Sequence, residues 1–406
     1  MALSIPPFAN PFRPGAGHRP PYLAGRKHEE GEFRKLLAQN VVLDNLVITG
    51  LRGVGKTVLA ESFKPTAVHE GWLWVGTDMS ESAVVTESIL AERILTDLSV
   101  VTSNISTGTT HQLSFGFVSK ENAGEITLGY NTLSSIYKNA PGLVSDKLKA
   151  VFSAVAPHVT RIGKRGLLFV YDEAQSLADR DDAKEYPLSV LLDIFQSVQR
   201  NGMPFILVLI GLPTLYQKLV DSRTYSERMF KTLTLKKLSV EASREAITKP
   251  ISDAKCPVKF SDEAISLIIK YSGGYPYFIQ FMCREVYDVW MQKLAEGQEP
   301  IVPMSEIVRK LDNDFFAHRW YKVTERYHEL LHVIAQLDNS NDVFTIQDIL
   351  RQSVRINETF GRSRVNQMLV TLMEHGIVYK DRHGKYMFAV PLFADFVRRI
   401  KETGIL

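Results

Sequence analysis

A glycine-rich loop between an apolar run and a helix-forming run constrains this chain's fold more than any other feature. Residues 46–49 are apolar, and residues 50–57 read Gly-Leu-Arg-Gly-Val-Gly-Lys-Thr. Glycine allows the tight backbone path that such a loop needs, because it adopts positive φ without steric penalty. An apolar strand that leads through a glycine loop into a helix is the first half of a βαβ unit. The sequence therefore predicts an α/β fold.

Short apolar strands alternate with amphipathic helical stretches over the next 180 or so residues. That alternation predicts a mostly parallel sheet covered by helices on both faces. We expect strands over 46–49, 72–76, 167–172, 205–211 and 232–235, and helices over 56–63, 83–98 and 188–200.

The glycine loop also predicts a phosphate site. Its main-chain N–H groups would point at phosphate oxygens, and the positive end of the following helix would add attraction. Lys56 is expected to bridge the β- and γ-phosphates and Thr57 to offer its hydroxyl to Mg²⁺, so the spacing predicts binding of Mg·ATP. The predicted nucleotide contacts from this loop are Gly50, Arg52, Gly53, Val54, Gly55, Lys56, Thr57 and Val58.

A second apolar strand ends in two carboxylates, Asp172 and Glu173. Nucleotide hydrolases of the glycine-loop type use this arrangement to hold Mg²⁺ and to orient a water. We expect Asp172 to act on the metal and Glu173 to polarise the attacking water. By itself the pair is more typical of a solvated acidic turn, and it is the glycine loop that favours the catalytic interpretation.

Composition restricts the remaining possibilities. The formal net charge of +3 is too small to imply a polyanion partner without a local concentration of charge. Cys256 and Cys283 lie far apart with no neighbouring ligand at metal-binding spacing, which favours a reducing cytoplasm. The longest apolar run, 205–212, is too short to span a bilayer, so we expect a cytoplasmic protein without a membrane contact.

The order of segments predicts four domains. Residues 1–21 contain six prolines and are expected to form an extended arm. An ATPase core follows over 22–238, interrupted by a Ser/Thr/Gly-rich insertion at 101–140, where 113–118 and 126–130 alternate like a protruding hairpin or else form a surface loop. Helical stretches over 240–251 and 262–298 predict a helical lid at 239–320, and residues 321–406 form the last domain.

The last domain has the order of a winged helix: helices over 325–336, 346–353 and 363–374, then strands over 376–380 and 385–390 around a tight turn. From Arg351 to Lys401 there are ten Lys or Arg against four Asp or Glu, so positive charge is concentrated here. These features favour contact with double-stranded DNA, although a winged helix also serves as a protein-contact domain. The expected DNA-binding residues are Arg362, Arg364 and Gln367 on the third helix and Arg382 and Lys385 on the wing.

Together, these motifs resemble the AAA+ class of P-loop ATPases, in particular its replication-initiator and STAND-like branch, over most of the chain from residue 22. Residues 24–30, Ala-Gly-Arg-Lys-His-Glu-Glu, resemble the box with which these proteins hold the nucleotide base. The resemblance implies that Tyr22, Leu23 and Arg26 lie near the adenine or the phosphates. A simple turn into the first helix is the alternative.

The resemblance also implies a catalytic arginine, and Arg228 is the candidate finger that would reach the γ-phosphate of a neighbouring subunit. An ordinary surface salt bridge is the alternative. Two departures limit what the resemblance implies. In residues 211–214, Gly-Leu-Pro-Thr, only Thr214 could serve as the polar sensor expected after the fourth strand, and the lid carries a Gly-x-Pro segment in which Pro276 would pack against the adenine.

These departures imply slow hydrolysis and a switch-like use of ATP. We therefore expect an ATP-dependent homo-oligomer that couples nucleotide state to DNA binding. The alternative is a STAND-type signalling or scaffold ATPase, for example in bacterial defence or regulation, whose winged helix contacts protein. Either type is expected to work with a companion effector protein.

Overall fold

The computed structural model describes residues 9–15, 17–76, 79, 85–106, 127–256, 260–298, 303–382 and 384–403. They fall into two compact units. The sheet unit comprises residues 27–50 and 59–234, and the lid unit comprises residues 1–26, 51–58 and 235–406. The predicted boundaries between arm, core, lid and winged helix are finer than this division and stay predictions.

The sheet unit alternates strands and helices in the predicted way. Helix α2 begins with residues of the lid unit and continues in the sheet unit. With α2 included, the elements of the sheet unit are α1 (Lys27–Leu37), β1 (Asn45–Thr49), α2 (Lys56–His69), β2 (Trp72–Val75), α3 (Glu87–Thr102), α4 (Tyr130–Asn139), α5 (Val144–Arg161), β3 (Gly166–Tyr171), α6 (Pro187–Arg200), β4 (Phe205–Gly211), α7 (Thr214–Ser222), α8 (Ser226–Met229) and β5 (Phe230–Thr234).

All five strands pair in parallel, in the order β2-β3-β4-β1-β5. Strands β1, β3 and β4 are buried along their whole length, as expected for a sheet covered on both faces. Residues such as Phe169 and Leu207 join one core with helices α3 to α7. Because side chains alternate along a strand, their buried neighbours Leu168 and Val208 face the opposite side. The predicted α/β fold is thus confirmed.

Strand β4 lies between β1 and β3, with Thr49 opposite Gly211 and Tyr171 opposite Leu209. Parallel strands present their carboxyl ends at one sheet edge. The residues that directly follow β3 and β4 therefore lie at the same edge of the sheet.

Several predicted boundaries need correction. Helix α2 continues through Pro65 to His69 and does not stop at residue 63, and α3 begins at Glu87 behind its N-cap Thr86 and not at residue 83. Helix α5 was not predicted at all. Most of the predicted hairpin, at 107–126, lies outside the described residues, and at its described end Tyr130 begins helix α4 where a strand was expected.

The lid unit is mainly helical. Its elements are α9 (Val240–Asp253), α10 (Asp262–Ser272), α11 (Pro276–Ala295), α12 (Met304–Leu311), a π-helical turn (Asp312–Phe316), α13 (Ala317–Trp320), α14 (Glu325–Ala335), β6 (Phe344–Thr345), α15 (Ile346–Arg355), α16 (Arg362–Glu374), β7 (Val378–Arg382), β8 (Lys385–Phe388) and α17 (Phe393–Thr403).

Local sequence explains where the lid helices begin and end. Ser261 caps α10 by accepting a hydrogen bond from the main-chain N–H of Ala264. Gly273 ends that helix in the left-handed conformation, and Pro276 begins α11, where its missing N–H needs no partner.

The C-terminal module, residues 324–403, has the element order predicted for a winged helix. Strands β6, β8 and β7 form an antiparallel sheet in that order, with a register shift between Lys380 and Arg382. The apolar residues of helix α16 at helical spacing, Val365, Met368, Leu369 and Leu372, are buried. Helix α17, which sequence reasoning did not predict, packs against α14.

The proline-rich arm forms neither helix nor strand over its described residues 9–15 and 17–21. It is nevertheless packed. Phe12 is buried in the core shared by the lid helices, and the Asn10 side chain donates to the carbonyl oxygen of Arg284 and to Asp288 on α11. Part of the predicted extended arm therefore lies along a lid helix.

Both cysteines of the chain are buried free thiols. Among the helices of the described residues, none combines the length and the apolar character that crossing a bilayer requires.

Candidate functional site

The glycine loop has the backbone shape that its sequence predicts. Gly53 has φ of 80° and Gly55 has φ of 88°, a region that residues with a Cβ rarely occupy. Helix α2 begins directly afterwards at Lys56. The loop thus ends at a helix N-terminus, where free N–H groups and the helix dipole favour an anion.

Three main-chain carbonyls of the loop have defined partners within the lid unit. The Lys56 ammonium, itself buried, donates to the carbonyl oxygen of Leu51 at 3.2 Å. The main-chain N–H of Tyr277 donates to Gly53 O at 3.2 Å, and a guanidinium N–H of Arg26 donates to Val54 O at 2.9 Å. These bonds fix the orientation of three peptide groups of the loop.

Arg26, predicted near the base or the phosphates, is 5% exposed and makes a second hydrogen bond to the carbonyl oxygen of Lys236, at 3.0 Å. One guanidinium therefore links the glycine loop to the segment before α9. Gly25 lies beside it with φ of 65°, and a Cβ there would approach the Cβ of Ala242 to 2.8 Å. The Gly-Arg pair is thus needed for close packing on the lid as well as for any nucleotide contact.

The other residues of the predicted base pocket lie in the same unit. The Tyr22 hydroxyl donates to Glu245 on α9 at 3.1 Å. Pro276 is the first residue of α11, and the next residue is the one that bonds to Gly53. A Cβ on Gly17 of the arm would lie 3.4 Å from the Thr57 methyl group, which places the arm beside the predicted magnesium ligand.

Sequence reasoning missed a second cation near the loop. Arg319 on α13 is partly buried, lies over the Phe315 ring at 4.9 Å and donates to the Phe315 carbonyl oxygen. Burial lowers the pKa of Arg319, and the charge of Arg52 on the loop lowers it further. An anion bound at the loop would relieve the repulsion between these two guanidinium groups. Arg319 has no local motif, so only the fold could reveal it.

The predicted acidic pair follows strand β3 in the sheet unit. Asp172 is 6% exposed, and its carboxylate accepts a hydrogen bond from the Glu173 main-chain N–H at 2.7 Å. Glu173 has φ of 52°, a left-handed conformation that is uncommon for a residue with a side chain and that recurs at functional sites. The Gln175 side chain donates to the Glu173 carboxylate.

Comparison with solved structures gives the fold a name. The chain matches a Walker-type ATPase of Pyrococcus abyssi at 15% identity and a TM-score of 0.59, over 95% of this chain and 98% of that one. It matches the Aeropyrum pernix ORC2 protein, solved as ADPNP-ADP complexes, at 14% identity and a TM-score of 0.53, over 96% and 97%. The ADP form of ORC2 gives 16% and 0.54 over the same shares.

This chain has the AAA+ ATPase fold. At such identities the likeness concerns the fold. Residues 313–397 also match a family model described as a domain of unknown function, DUF8462. No curated protein matches the chain in sequence.

The two arginines near the predicted finger position, Arg223 and Arg228, differ in their contacts and exposure. Arg223 is engaged inside the unit, where it forms a two-pronged ion pair with Asp193 at 3.0 and 3.1 Å. Arg228, at the end of α8 directly before β5, is exposed. Of the two, Arg228 is therefore the side chain that can reach another molecule.

The predicted DNA-binding residues differ in exposure. Arg362 and Gln367 on α16 and Lys385 at the start of β8 are exposed. Arg364 is only partly exposed, with its guanidinium 5.6 Å from the centre of the Phe360 ring. Arg382 ends strand β7 in the wing. The face predicted on α16 is thus open at Arg362 and Gln367, whereas Arg364 packs at its margin.

Proposed function

We propose that this AAA+ chain binds Mg·ATP and hydrolyses it slowly, using nucleotide state as a switch. The observation that carries this proposal is the positive φ of Gly53 and Gly55 immediately before Lys56 at the start of α2. It aligns main-chain N–H groups and a helix N-terminus toward one anion.

Each residue then has a defined role. Lys56 neutralises the β- and γ-phosphates, Thr57 offers a hydroxyl and Asp172 a carboxylate, which are oxygen ligands of the kind Mg²⁺ takes. The bound metal ion supplies charge neutralisation on the transferred phosphoryl group. Glu173 accepts a proton from the attacking water. Tyr22, Leu23 and Pro276 form the side that receives the base.

Slow hydrolysis follows from the lack of two polar side chains, one at the end of strand β4 and one at the start of α11. Strand β4 ends at Gly211, so no side chain of its own extends from that position. The lid begins α11 with the Gly-x-Pro segment and not with an arginine. Both features reduce the number of groups that can stabilise the transition state directly.

Binding of labelled ATP with and without Mg²⁺ tests the first part. Glu173→Gln is expected to keep ATP affinity and to lose at least about 100-fold in phosphate release, since it removes the general base. Glu61→Gln on the exposed face of α2 is the matched control and should leave both unchanged. Equal rates for the parent and Glu173→Gln would remove Glu173 from catalysis, and absence of magnesium-dependent ATP binding would refute the proposal.

We also propose that the C-terminal module is a winged helix that binds double-stranded DNA. Arg362, Gln367 and Lys385 support this proposal because they are exposed in a module where basic residues outnumber acidic ones. Side chains on α16 would read base edges, and Lys385 and Arg382 on the wing would contact phosphates.

Duplex binding measured over a salt series tests this. The double change Arg362→Ala with Arg364→Ala should weaken binding, by about 1 to 3 kcal/mol for each base contact that is lost. Arg382→Ala with Lys385→Ala should reduce the slope of log affinity against log salt by about 1.8, because each wing residue would meet one phosphate. Arg34→Ala with Arg200→Ala removes the same charge from exposed positions of the sheet unit. It should retain the parent slope, whereas no binding of the parent at low salt would reject a DNA role.

One observation favours the second candidate, a STAND-type signalling or scaffold ATPase. The module shares a single hydrophobic core with the lid helices, and Arg399 on α17 pairs with Asp312 on the π turn. Such a module can transmit nucleotide state to a companion effector protein without touching DNA. This candidate predicts no salt-dependent duplex binding and unchanged ATP binding in the Arg362→Ala with Arg364→Ala variant.

We propose further that the active form is an ATP-dependent homo-oligomer in which Arg228 acts on the neighbouring subunit's nucleotide. Its exposure before β5 supports this role. A mixture of Lys56→Ala and Arg228→Ala proteins should hydrolyse ATP faster than either alone, because each lacks a different half of a shared site. No gain on mixing, or an unchanged monomer mass with ATP, would contradict it.

A further inference from the structure

One side chain joins the acidic strand end to the end of strand β4. Gln175, two residues beyond Glu173, donates through its amide nitrogen to the Glu173 carboxylate. Its amide oxygen accepts from the main-chain N–H of Leu212 at 3.0 Å. Because β4 lies between β1 and β3, Leu212 follows the strand that separates the acidic pair from the glycine loop's own strand.

Gly211 makes this bridge sterically possible. A Cβ at Gly211 would approach the Gln175 amide oxygen to 2.5 Å and the Gln175 main-chain nitrogen to 3.4 Å. No real Cβ contact is as short as the first of these. The glycine that ends strand β4 without a side chain is therefore also the residue that leaves room for Gln175.

The bridge also fixes which end of the amide meets Glu173. The oxygen faces an N–H donor at Leu212, so the NH₂ group must face the carboxylate. An NH₂ group only donates, so it meets the carboxylate as a donor meets an acceptor. The main-chain carbonyl oxygen of Gln175 is held in turn by the Lys218 ammonium on α7, at 2.5 Å. The amide is therefore anchored at both its backbone and its side chain.

We propose that Gln175 is the positioning residue of the hydrolysis reaction, supplying from the acidic turn the polar group that strand β4 lacks. It holds the Glu173 carboxylate in the orientation from which that carboxylate accepts the proton of the attacking water. It also connects Glu173 to the β4–α7 segment, so that a shift of that segment changes the aim of the base. This inference rests on the proposed ATPase function.

Two substitutions test the role. Gln175→Ala should lower kcat by about 10- to 100-fold with the ATP dissociation constant unchanged, because misplacing a general base costs about that much. Gln175→Glu keeps an oxygen for Leu212 N–H but replaces the NH₂ donor that faces Glu173 with an acceptor. It should therefore lower kcat by about as much as Gln175→Ala, again with the ATP dissociation constant unchanged.

Gln217→Ala is the matched control, since Gln217 on α7 makes an equivalent amide-to-carboxylate bond with Asp221 at 2.7 Å on the exposed surface. It should leave kcat and the ATP dissociation constant unchanged. Thermal unfolding and ATP affinity establish that each variant is folded, and a purely structural role for Gln175 would not lower kcat in a variant that keeps the parent's unfolding temperature and ATP affinity.

The failures are distinguishable. If the parent hydrolyses ATP and Glu173→Gln does not, but Gln175→Ala or Gln175→Glu keeps the parent kcat, the positioning role is wrong and the ATPase proposal stands. If the parent itself binds no ATP, or binds it without hydrolysis in a single-turnover measurement, the proposed function is wrong and this inference with it.

Discussion

The backbone of the glycine loop gives the sharpest test of the proposed phosphate site. Gly55 has φ of 88°, and a Cβ at this position would meet nothing within 4 Å among the described residues. Gly55→Ala therefore adds no steric contact with the rest of the molecule. What it adds is the penalty for an L-residue in the left-handed region, about 1 to 2 kcal/mol.

That penalty should appear in the affinity for ATP. The alanine variant relaxes to negative φ when the loop is empty, and binding must return it to the conformation that aims the N–H groups at phosphate. A loss of about 1 to 2 kcal/mol corresponds to an ATP dissociation constant about 5- to 30-fold higher. Titration calorimetry with Mg·ATP measures this directly.

Gly202→Ala is the control, because Gly202 has φ of 74°, is equally open and lies in the exposed turn after α6. It carries the same intrinsic penalty, so its free energy of unfolding should fall by a similar amount while its ATP affinity stays that of the parent. Parent-like ATP affinity in Gly55→Ala would show that the positive φ of this loop is not what binds phosphate.

Two further predictions concern the stability contributed by Arg26 and the pH dependence caused by His332. Arg26→Met should lower the free energy of unfolding by about 2 to 3 kcal/mol, because it leaves the buried carbonyl of Val54 and the partly buried carbonyl of Lys236 without their charged donor, as urea unfolding would measure. Burial, and then the charge of Lys401, lower the pKa of His332 from its ordinary 6.5 to about 4. Below about pH 6.5 the unfolded chain therefore takes up a proton that the folded chain does not, so stability falls as the pH drops toward 4, by about 1 kcal/mol between pH 7 and 5 once screening of a half-exposed ring is allowed for.

Each of these has a control. Arg34→Met removes an exposed arginine of the sheet unit and should change stability by less than about 0.5 kcal/mol; an equal effect at Arg26 would mean that its two bonds contribute nothing. His332→Gln should flatten the loss of stability between pH 7 and 5. If the variant and the parent lose stability equally over that range, His332 is not the group responsible.

The sequence predicts the parts of this molecule that depend on local pattern. The glycine spacing at 50–57 and the apolar runs of β1, β3 and β4 are local signals, and the structure has all of them in place. The apolar spacing of Val365 to Leu372 likewise identifies the buried face of α16. Such signals are strong because the periodicity of apolar residues within one helix or strand is enough to identify that element.

Helix α5 was missed although its sequence carries a helical pattern. Leu148, Val151, Phe152 and Val155 have helical spacing and are fully buried, yet Pro157 inside the helix and the polar stretch before it conceal the signal. Because proline has no N–H, Pro157 costs helix α5 one main-chain hydrogen bond. Packing of α5 against α6 offsets that loss.

The bonds that assemble the site are not predictable from local pattern. Arg26 meets a carbonyl 28 residues away and another 210 residues away, and Gln175 meets Leu212 across 37 residues. These partners are main-chain groups, which leave no trace in residue identity. The roles of Gln175 and Arg319 therefore become visible only when the fold is known.

The hydrogen bond from Tyr277 to Gly53 gives the first turn of α11 a mechanical role. Helix α11 has 20 residues and is therefore about 30 Å long. If filling the loop rotates the peptide plane after Gly53 and tilts the helix by about 5°, its far end at Ala295 travels about 2.6 Å, by simple lever geometry along that length. A displacement of that size exceeds half the spacing between packed atoms. Through this one peptide group, binding of a phosphate would therefore move the far end of helix α11.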